Sequence, residues 1–265
     1  MSLKATLKRL YHAAVPLAIR RHLRLTRFAA PRRARAHLWR RTGGRVAAGP
    51  FKGLRLPGSV PDDCYGAALL GAYECENHDW FERQFSREWT AAVDVGSSEG
   101  YYSTGLALRL PHATVHAFEA EAGLRAQTAD SARRNGVADR VVVHGTADVQ
   151  ALAALPLTSA LVVSDCEGAE RELIDPAAVP WLARSALLVE LHDFAAPGTT
   201  EILQRRFAAT HDIFIATQAA RDPAEWATRA GITVVDARIL LEELRPIDGV
   251  HVDSRWMWLT PRAVA

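Results

Sequence analysis

From residue 90 onwards, apolar runs of strand length alternate with amphipathic segments of helical length. The predicted strands lie within TAAVDV, ATVHAFEA, DRVVVHG, SALVVSDCEG, SALLVELHDF, HDIFIATQ and SRWMWLTP. The predicted helices between them lie within GYYSTGLALRL, EAGLRAQTADSARRN, ADVQALAAL, AERELID and TTEILQRRFAAT. Strands so rich in Val, Leu and Ile, separated by helices, predict an α/β fold with a mostly parallel sheet covered on both faces. A ligand is then expected at the carboxyl ends of the strands, where the strand order reverses.

The beginning of the chain has a different pattern. Residues 3–28 have helical spacing, which Pro16 is expected to break. A second short, basic helix is predicted over residues 31–41, after Pro31. The following stretch, GGRVAAGPFKGLRLPGS, is rich in turn residues and predicts a short strand or hairpin.

Two helices are predicted within residues 62–88, and they lead into the alternating region. We therefore divide the chain into a basic, mainly helical N-terminal arm, residues 1–60, and a main domain, residues 61–265. No internal repeat and no low-complexity linker separates the two.

Charge divides the chain near the same boundary. Residues 1–61 contain 15 Lys and Arg and no Asp or Glu, whereas the remainder contains 17 Lys and Arg and 30 acids, a balance of 17 − 30 = −13. We favour an arm that lies on the acidic body as a lid or as a homo-oligomer contact. A weak contact with a membrane surface, or with an acidic partner, is the second interpretation. Nucleic acid is not expected, because few aromatic residues interleave with the bases.

Compartment and targeting follow from two further features. The longest apolar run of the arm, LYHAAVPLAI, has ten residues and lacks a cleavage site, so neither a spanning helix nor a secretory signal is predicted. The three cysteines, Cys64, Cys75 and Cys166, form no CxxC pair. This pattern disfavours a zinc or disulfide framework and favours the reducing cytoplasm.

The turn DVGSSEG, residues 94–100, offers three interpretations. A P-loop is excluded, because Tyr101 rather than lysine follows Gly100. A dinucleotide is disfavoured, because Ser98 replaces the glycine that lets the backbone approach a pyrophosphate. Glu99 would also repel that anion by roughly 1 kcal/mol at about 4 Å, even in bulk water. S-adenosylmethionine carries a sulfonium and an ammonium group and no phosphate, so loop carboxylates favour it.

A second acid supports a nucleoside at this edge of the sheet. Glu119 ends the next predicted strand, 119 − 94 = 25 residues after Asp94. An acid in this position can accept hydrogen bonds from both ribose hydroxyls. Two alternatives remain: Glu119 caps the following helix, or the glycines form a plain tight turn without a ligand.

Five blocks of the main domain resemble a known family: VDVGSSEGYYSTGLAL, VHAFEAE, NGVADRVVVHGTAD, VVSDCEGAERELIDP and LLVELHDF. Over about residues 90–195 they resemble class I S-adenosylmethionine-dependent methyltransferases, most closely the FkbM type, whose D-x-E-G-A-E block is the most specific feature. The resemblance implies a Rossmann-like seven-stranded sheet with a reversed final hairpin. It also implies methyl transfer, commonly to a hydroxyl of a sugar or other secondary metabolite. The SSE before Gly100 departs from the small or apolar residues usual in the family.

We predict that the cofactor is bound by the glycine loop and by the exits of neighbouring strands. The predicted cofactor-binding residues are Asp94, Gly96, Ser97, Glu99, Gly100, Tyr102, Glu119, Ala147, Asp148 and Asp165. By the resemblance, Asp148 or the backbone of Ala147 lies near the adenine amine. Asp148 as a helix N-cap is an equally good interpretation, and the two are compatible.

The fourth strand ends in SDCEGAE, residues 164–170. Asp165 is predicted to be catalytic, because it lies at a strand's carboxyl end, where it would orient the acceptor or the donor's amino group, or serve as base. For Glu167 and Glu170 we favour the interpretation that they are stabilising charges at a helix N-terminus.

The fifth strand ends with Glu190, His192 and Asp193. Strand alternation predicts Glu190 and His192 on one side and Asp193 on the other. His192 is predicted to be a catalytic base, with a structural role as the alternative. Asp165, Glu190 and His192 would suit magnesium or calcium if they converge. No metal is predicted, because the paired Asp-Asn that some methyltransferases of this fold use after the fifth strand is not evident.

The aromatic residues Tyr101, Tyr102, Trp256 and Trp258 are compatible with a pocket wall or with the core. The sequence thus predicts a methyltransferase, most simply an O-methyltransferase acting on a small-molecule acceptor that the sequence does not identify. One alternative is a non-catalytic nucleoside-binding or scaffold protein tethered by its basic arm. A dinucleotide-dependent oxidoreductase is disfavoured by Ser98 and Glu99.

Overall fold

The computed structural model describes residues 17–57, 65–218, 220–242 and 255–262, with side chains from residue 29 onwards. The strands are β1 (Ala91–Val95), β2 (Thr114–Phe118), β3 (Val141–His144), β4 (Leu161–Ser164), β5 (Ala186–Glu190), β6 (His211–Thr217) and β7 (Arg255–Pro261). The helices are α1 (Leu17–Thr42), α2 (Tyr65–Leu70), α3 (His78–Phe85), α4 (Tyr101–Arg109), α5 (Ala122–Arg134), α6 (Val149–Ala153), α7 (Glu170–Leu173), α8 (Thr199–Phe207), α9 (Pro223–Ala230) and α10 (Val234–Leu241). Short 3₁₀ helices span Cys75–Asn77 and Pro180–Arg184.

The seven strands form one sheet in the order β3-β2-β1-β4-β5-β7-β6. The first five strands are parallel, and β7 runs antiparallel to both β5 and β6. The predicted α/β class with a mostly parallel sheet is therefore confirmed, as is the reversed final hairpin that the resemblance implied.

Two apolar layers hold the sheet between its helices. Along β1, Ala92 packs into one layer and Val93 and Val95 into the other. Every residue of β1, β4 and β5 is buried, because helices cover both faces of these central strands. Successive strand residues point to opposite faces, so continuous apolar runs fill both layers at once.

The register aligns the carboxyl ends of four neighbouring strands, β2, β1, β4 and β5. Val95 at the end of β1 lies beside Phe118 of β2 and beside Ser164 of β4. Ser164 in turn lies beside Val189 of β5. The chain leaves β1 towards β2 on one side and reaches β4 on the other, so the strand order reverses at β1. The residues that follow these strands are thereby brought to one edge of the sheet.

Helix α1 differs from the prediction made for the arm. The predicted break at Pro16 lies outside the described residues, but a separate helix beginning after Pro31 is wrong, because α1 runs continuously from Leu17 to Thr42 with Pro31 inside it. A proline removes one backbone hydrogen bond, and it need not end a helix whose next turns are anchored. Ala34 and Leu38 supply that anchor, since both are fully buried. No helix among the described residues combines the length and hydropathy of a membrane span.

The turn-rich segment after α1 folds back on itself and packs into the core of the main domain. A single antiparallel bridge joins Arg45 and Arg55, as the prediction of a short hairpin required. Phe51 and Leu54 are buried in the same apolar layer as the sheet residues. Phe51 lies so close to α4 that a Cβ at Gly105 would approach its ring to 2.5 Å. This segment therefore brings residues 54–57 to the edge where the strands end.

Candidate functional site

A cavity of about 720 Å³ opens at the carboxyl ends of β1, β2 and β4. This volume lies within the range of about 300–1,000 Å³ typical of small-molecule sites. The polar part of its lining includes Ser98, Glu99, Glu119 and Asp165, and the apolar part includes Leu54. The position agrees with the expected ligand site, where the strand order reverses.

Position 96 requires a glycine because the residues after β4 approach the glycine loop closely there. Its φ of +87° lies in the left-handed region. A Cβ at this position would lie 1.8 Å from the carbonyl oxygen of Asp165. The N–H groups of Gly96 and Ser97 both donate to the carbonyl of Phe118, at 2.9 Å each. The glycine loop is therefore bound to the end of β2 and pressed against the exit of β4.

Ser98 adopts a left-handed conformation, with a φ of +47°, although it is not glycine. Such a conformation costs about 1 kcal/mol. Contacts on both sides of the peptide hold it: its N–H donates to Glu119 Oε2 at 2.9 Å, and its carbonyl accepts from Thr128 Oγ1 at 2.7 Å. Its hydroxyl donates to Glu99 Oε2 at 2.6 Å, which orients that carboxylate at the cavity wall.

Glu119 supports the following helix, and its side chain also faces the cavity. Its Oε1 accepts from the N–H of Glu121 at 2.8 Å, at the start of α5, so it supports that helix. Its Oε2 holds the loop at Ser98. Each carboxylate oxygen has two acceptor sites, so Glu119, which lines the cavity, retains capacity for ribose hydroxyls.

Asp94 and Tyr102 act below and beside the loop. Asp94 is buried in β1, where Ser103 Oγ donates to it. Burial raises the pKa of Asp94 to about 7, although the Ser103 hydrogen bond opposes the shift. The hydroxyl of Tyr102 donates to the carboxylate of Glu74, and burial raises the pKa of Tyr102 well above its usual value. Tyr102 lines the cavity, whereas Asp94 is not among the lining residues and binds Ser103 of α4 from within the sheet.

Four other predicted residues lie near these: Ser97, Gly100, Ala147 and Asp148. Ser97 is buried, with its Oγ 3.3 Å from Thr128 Oγ1, and Gly100 is the N-cap of α4. Ala147, after β3, lines the cavity. Asp148 is the N-cap of α6 and accepts from the N–H of Ala151 at 2.7 Å. The capping interpretation of Asp148 is thus confirmed.

The exits of β4 and β5 form the second half of the site, the acid–histidine cluster, which consists of Asp165, Glu167, Glu170, Glu190 and His192. Its centre is Glu170, which is fully buried. Its Oε1 accepts from the Nδ1–H of His192 at 2.7 Å. It also accepts the N–H groups of Cys166, at 3.1 Å, and Gly168, at 3.2 Å. Burial opposes ionisation of this carboxyl, but the hydrogen bond and charge of His192 and the backbone hydrogen bonds together outweigh it and lower the pKa of Glu170.

His192 faces the remaining carboxylates of the cluster through Nε2. This atom lies 3.7 Å from Asp165 Oδ1 and 3.6 Å from both Glu167 Oε2 and Glu190 Oε2. Burial opposes protonation of His192, but the hydrogen bond and charge of Glu170, followed by the other acids, raise its pKa to about 9. The ring is therefore positively charged at neutral pH when nothing else occupies the cluster.

The predicted alternation along the exit of β5 is confirmed. Glu190 and His192 meet in the cluster, whereas Asp193 turns away and pairs with Arg255 at 2.8 Å. Asp193 also accepts the N–H of Thr200 at 3.1 Å, which fixes the start of α8. Its hydrogen bonds with Thr200 and the charge of Arg255 outweigh partial burial and lower the pKa of Asp193.

The sequence indicated only part of the role of Glu170, and it did not mark Leu54, Tyr73 or Glu74. Glu170 does lie in the first turn of α7, as the preferred interpretation required, but its carboxylate points back to bind His192. Leu54 and Tyr73 line the cavity from the segment before the sheet, where no periodic pattern marked them. Glu74 was not singled out, although its φ of +47° and its bond to Tyr102 place it at the site.

The four aromatic residues divide between wall and core. Tyr101 and Tyr102 line the cavity. Trp256 is fully buried in the core. Trp258 is half-buried, and its indole N–H donates to Asn77 Oδ1 at 2.9 Å. The sequence had placed Tyr102 among the cofactor-binding residues and had left the other three unassigned between wall and core.

No protein-family model and no curated protein matches this chain. Among solved structures, the chain is similar to coclaurine N-methyltransferase bound to N-methylheliamine and SAH, with 14% identity, a TM-score of 0.45, and 97% of this chain and 98% of that chain covered. It is also similar to the O-methyltransferase TomG from Streptomyces achromogenes in complex with SAM, with 14% identity, a TM-score of 0.43, and 68% and 77% covered. A third is precorrin-6y C5,15-methyltransferase from Geobacter metallireducens, with 13% identity, a TM-score of 0.45, and 69% and 87% covered. These likenesses are distant and do not assign an activity to this chain.

Proposed function

We propose that this chain is a methyltransferase that binds S-adenosylmethionine in the cavity beside β1. The observation that carries the proposal is the combination of the glycine loop with carboxylates on the polar wall. Glu99 and Glu119 flank the loop at the point where the strand order reverses. A ligand that carries a sulfonium and an ammonium group is attracted by such a wall, whereas a pyrophosphate is repelled. The FkbM type rests on the sequence blocks alone.

The acceptor, we propose, enters from the apolar side of the cavity. Leu54, Leu56 and Pro57 form this side together with Tyr73 and Tyr101. No Lys, Arg or His lies among the described residues that line the cavity. An acceptor with an apolar or aromatic portion and no negative charge suits these walls. A hydroxyl of a small secondary metabolite, as the sequence resemblance implied, is the methyl acceptor that we propose.

Asp165 is the predicted catalytic residue that the geometry favours for contact with the acceptor. It lines the cavity at the end of β4. His192 lies deeper, behind Asp165, and its raised pKa means that it carries a proton at neutral pH. A protonated ring cannot take the acceptor's proton, so the proposed role of His192 as a base loses support.

Isothermal titration calorimetry with S-adenosylmethionine and with its demethylated product tests the cofactor. We expect both to bind with a stoichiometry of one per chain, and we expect transfer of labelled methyl to an acceptor found by screening. Absence of binding by both ligands would refute the proposal. Binding of both without transfer to any acceptor class would favour the non-catalytic nucleoside-binding alternative. Tight binding of NAD instead would revive the oxidoreductase.

The cellular location, the acceptor and the role of the arm are further proposals, and they rest on the sequence more than on the site. A cytoplasmic location, a small-molecule acceptor and a basic arm that contacts the acidic body follow from charge and composition. In the described part of α1, His37 Nδ1 lies 2.9 Å from Asp236 Oδ2 of α10. This contact favours the interpretation in which the arm lies on the body over a free membrane-binding arm.

A further inference from the structure

We propose that Asp165, Glu190 and His192 form a binding site for one divalent transition-metal ion. Each residue offers one ligand atom, and the three atoms lie within 4.8 Å of one another. They follow β4 and β5, which are neighbouring parallel strands, so the sheet itself brings them together. This inference does not depend on methyl transfer, because it concerns what the three side chains hold.

The separations suit a shared ion better than direct hydrogen bonds. His192 Nε2 is 3.7 Å from Asp165 Oδ1 and 3.6 Å from Glu190 Oε2. Both distances exceed the normal hydrogen-bond range of about 2.7–3.2 Å. Ligands that are each about 2.1 Å from one metal ion are separated by about 3.4 Å in a tetrahedral site and about 3.0 Å in an octahedral one. Small side-chain shifts would therefore complete a coordination shell.

The histidine is held in the orientation that a metal ligand needs. Its Nδ1–H donates to Glu170 at 2.7 Å, and Glu170 is itself fixed by the N–H groups of Cys166 and Gly168. The His192 side chain is only 6% exposed, and its Nε2 forms no hydrogen bond with any described residue. A carboxylate that binds one ring nitrogen of a histidine while the other binds a metal is a recurrent arrangement in metal sites.

The donor set points to the class of ion. Two carboxylates and one imidazole suit Mn²⁺, Fe²⁺ or Zn²⁺ better than Ca²⁺, which prefers oxygen ligands alone. Asp165 lines the cavity, so the open coordination positions would face the acceptor side.

The rival explanation is an ion-paired cluster in which His192 carries a proton on Nε2. A proton and a metal ion cannot occupy this nitrogen at once, so direct binding distinguishes the two. The full chain, stripped with EDTA and dialysed, is titrated with Mn²⁺ while free Mn²⁺ is followed by electron paramagnetic resonance. We expect one ion per chain in the wild type.

Three variants test the assignment. Glu190→Gln and His192→Gln remove a ligand, and each should weaken Mn²⁺ binding more than about 100-fold. Glu170→Gln removes only the support of His192, and it should weaken binding about 10- to 100-fold, the usual effect of such partners. Glu172→Gln, an exposed acid on the same helix, is the matched control and should bind as the wild type does.

Circular dichroism and thermal unfolding in EDTA establish that each variant is folded before its titration is interpreted. If Glu190→Gln or His192→Gln does not fold, Asp165→Asn, whose side chain is 19% exposed at the cavity wall, replaces it with the same expected loss. Failure of the wild type to bind Mn²⁺, or equal binding by the ligand variants, would overturn the proposal. Cofactor titrations are run separately in EDTA, so failure of the metal site and failure of the proposed methyltransferase are recorded independently.

Discussion

The two halves of the cavity rim are built in opposite ways. The glycine loop, residues 96–100, is one continuous stretch whose shape comes from its backbone. The acid–histidine cluster is built by side chains from two segments, residues 165–170 and 190–192, which the pairing of β4 with β5 brings together. The loop is therefore vulnerable at its glycine, and the cluster at the buried carboxylate of Glu170. Substitutions in each half test this difference.

The largest effect is expected from Gly96→Ala. The added Cβ would meet the backbone carbonyl of Asp165 at 1.8 Å, and backbone cannot move aside as a flexible side chain can. We expect a loss of about 3 kcal/mol or more in the free energy of unfolding, measured by urea denaturation. Gly136→Ala is the matched control, because Gly136 also has a positive φ, of +71°, but nothing lies within 4 Å of its Cβ position. The control should lose only about 1 kcal/mol. Equal losses would mean that the close approach is not what constrains Gly96.

Glu170→Gln tests the acid–histidine cluster, again through the free energy of unfolding. The substitution keeps the shape of the side chain but leaves a buried, positively charged His192 without its nearest counter-charge. We expect a loss of about 2 kcal/mol in the free energy of unfolding, below that of Gly96→Ala. Glu172→Gln should stay within about 0.5 kcal/mol of the wild type. A Glu170→Gln protein as stable as the wild type would show that the cluster does not depend on this carboxylate.

The raised pKa of Asp94, in the strand before the glycine loop, makes the free energy of unfolding depend on pH. Its folded-state pKa, about 7, lies above the usual value, so its contribution to stability is complete below about pH 4 and is lost as the pH rises towards 7. In EDTA, Asp94→Asn should remove this part of the decline. Between pH 5 and pH 8 the wild type should lose about 2 kcal/mol more than the variant in urea unfolding. Parallel pH profiles for the two proteins would contradict the raised pKa.

Glu99→Lys separates ligand binding from folding. Glu99 lines the cavity, and its contact within the loop is the single hydrogen bond from Ser98 Oγ. Replacing a carboxylate with an ammonium beside a cationic ligand should weaken S-adenosylmethionine binding about tenfold, or about 1.4 kcal/mol, with an unchanged unfolding midpoint. Asp139→Lys, the same charge change at an exposed position that does not line the cavity, is the control for calorimetry. Equal affinities in the two variants would remove Glu99 from the cofactor site.

The same difference explains what could be predicted from the sequence. The sheet and the position of the loop follow from short-range patterns: continuous apolar runs, and glycines directly after one of them. Gly96, Glu99 and Glu119 could be predicted to lie at the cavity because they stand at regular distances from strand ends. The role of Glu170 could not be found in this way. An acid at a helix start has an ordinary explanation, and only the register of β4 against β5 brings it to His192, 22 residues away.

The apolar residues of the cavity could not be predicted from the sequence for another physical reason. Leu54 and Tyr73 belong to segments without a regular period, so no pattern indicated which side chains turn inward. At Pro31 the local pattern was misleading instead, because the proline predicted a helix boundary. Helix α1 continues through it because buried residues downstream hold the helix. Short-range sequence patterns therefore predicted the helices and strands, whereas contacts between distant segments determine which other side chains reach the cavity.

The smallest effect compares the two left-handed residues of the rim, Ser98 and Glu167. Both have positive φ angles, +47° and +56°, so glycine should relieve strain at either position. Glu167 is 74% exposed, and Glu167→Gly should raise the free energy of unfolding by about 0.5–1 kcal/mol, measured in EDTA. Ser98→Gly also removes the hydroxyl that holds Glu99, so its gain should be smaller or absent. An equal gain at both positions would imply that the Ser98 hydroxyl contributes nothing to the loop, and that backbone alone shapes this half of the rim.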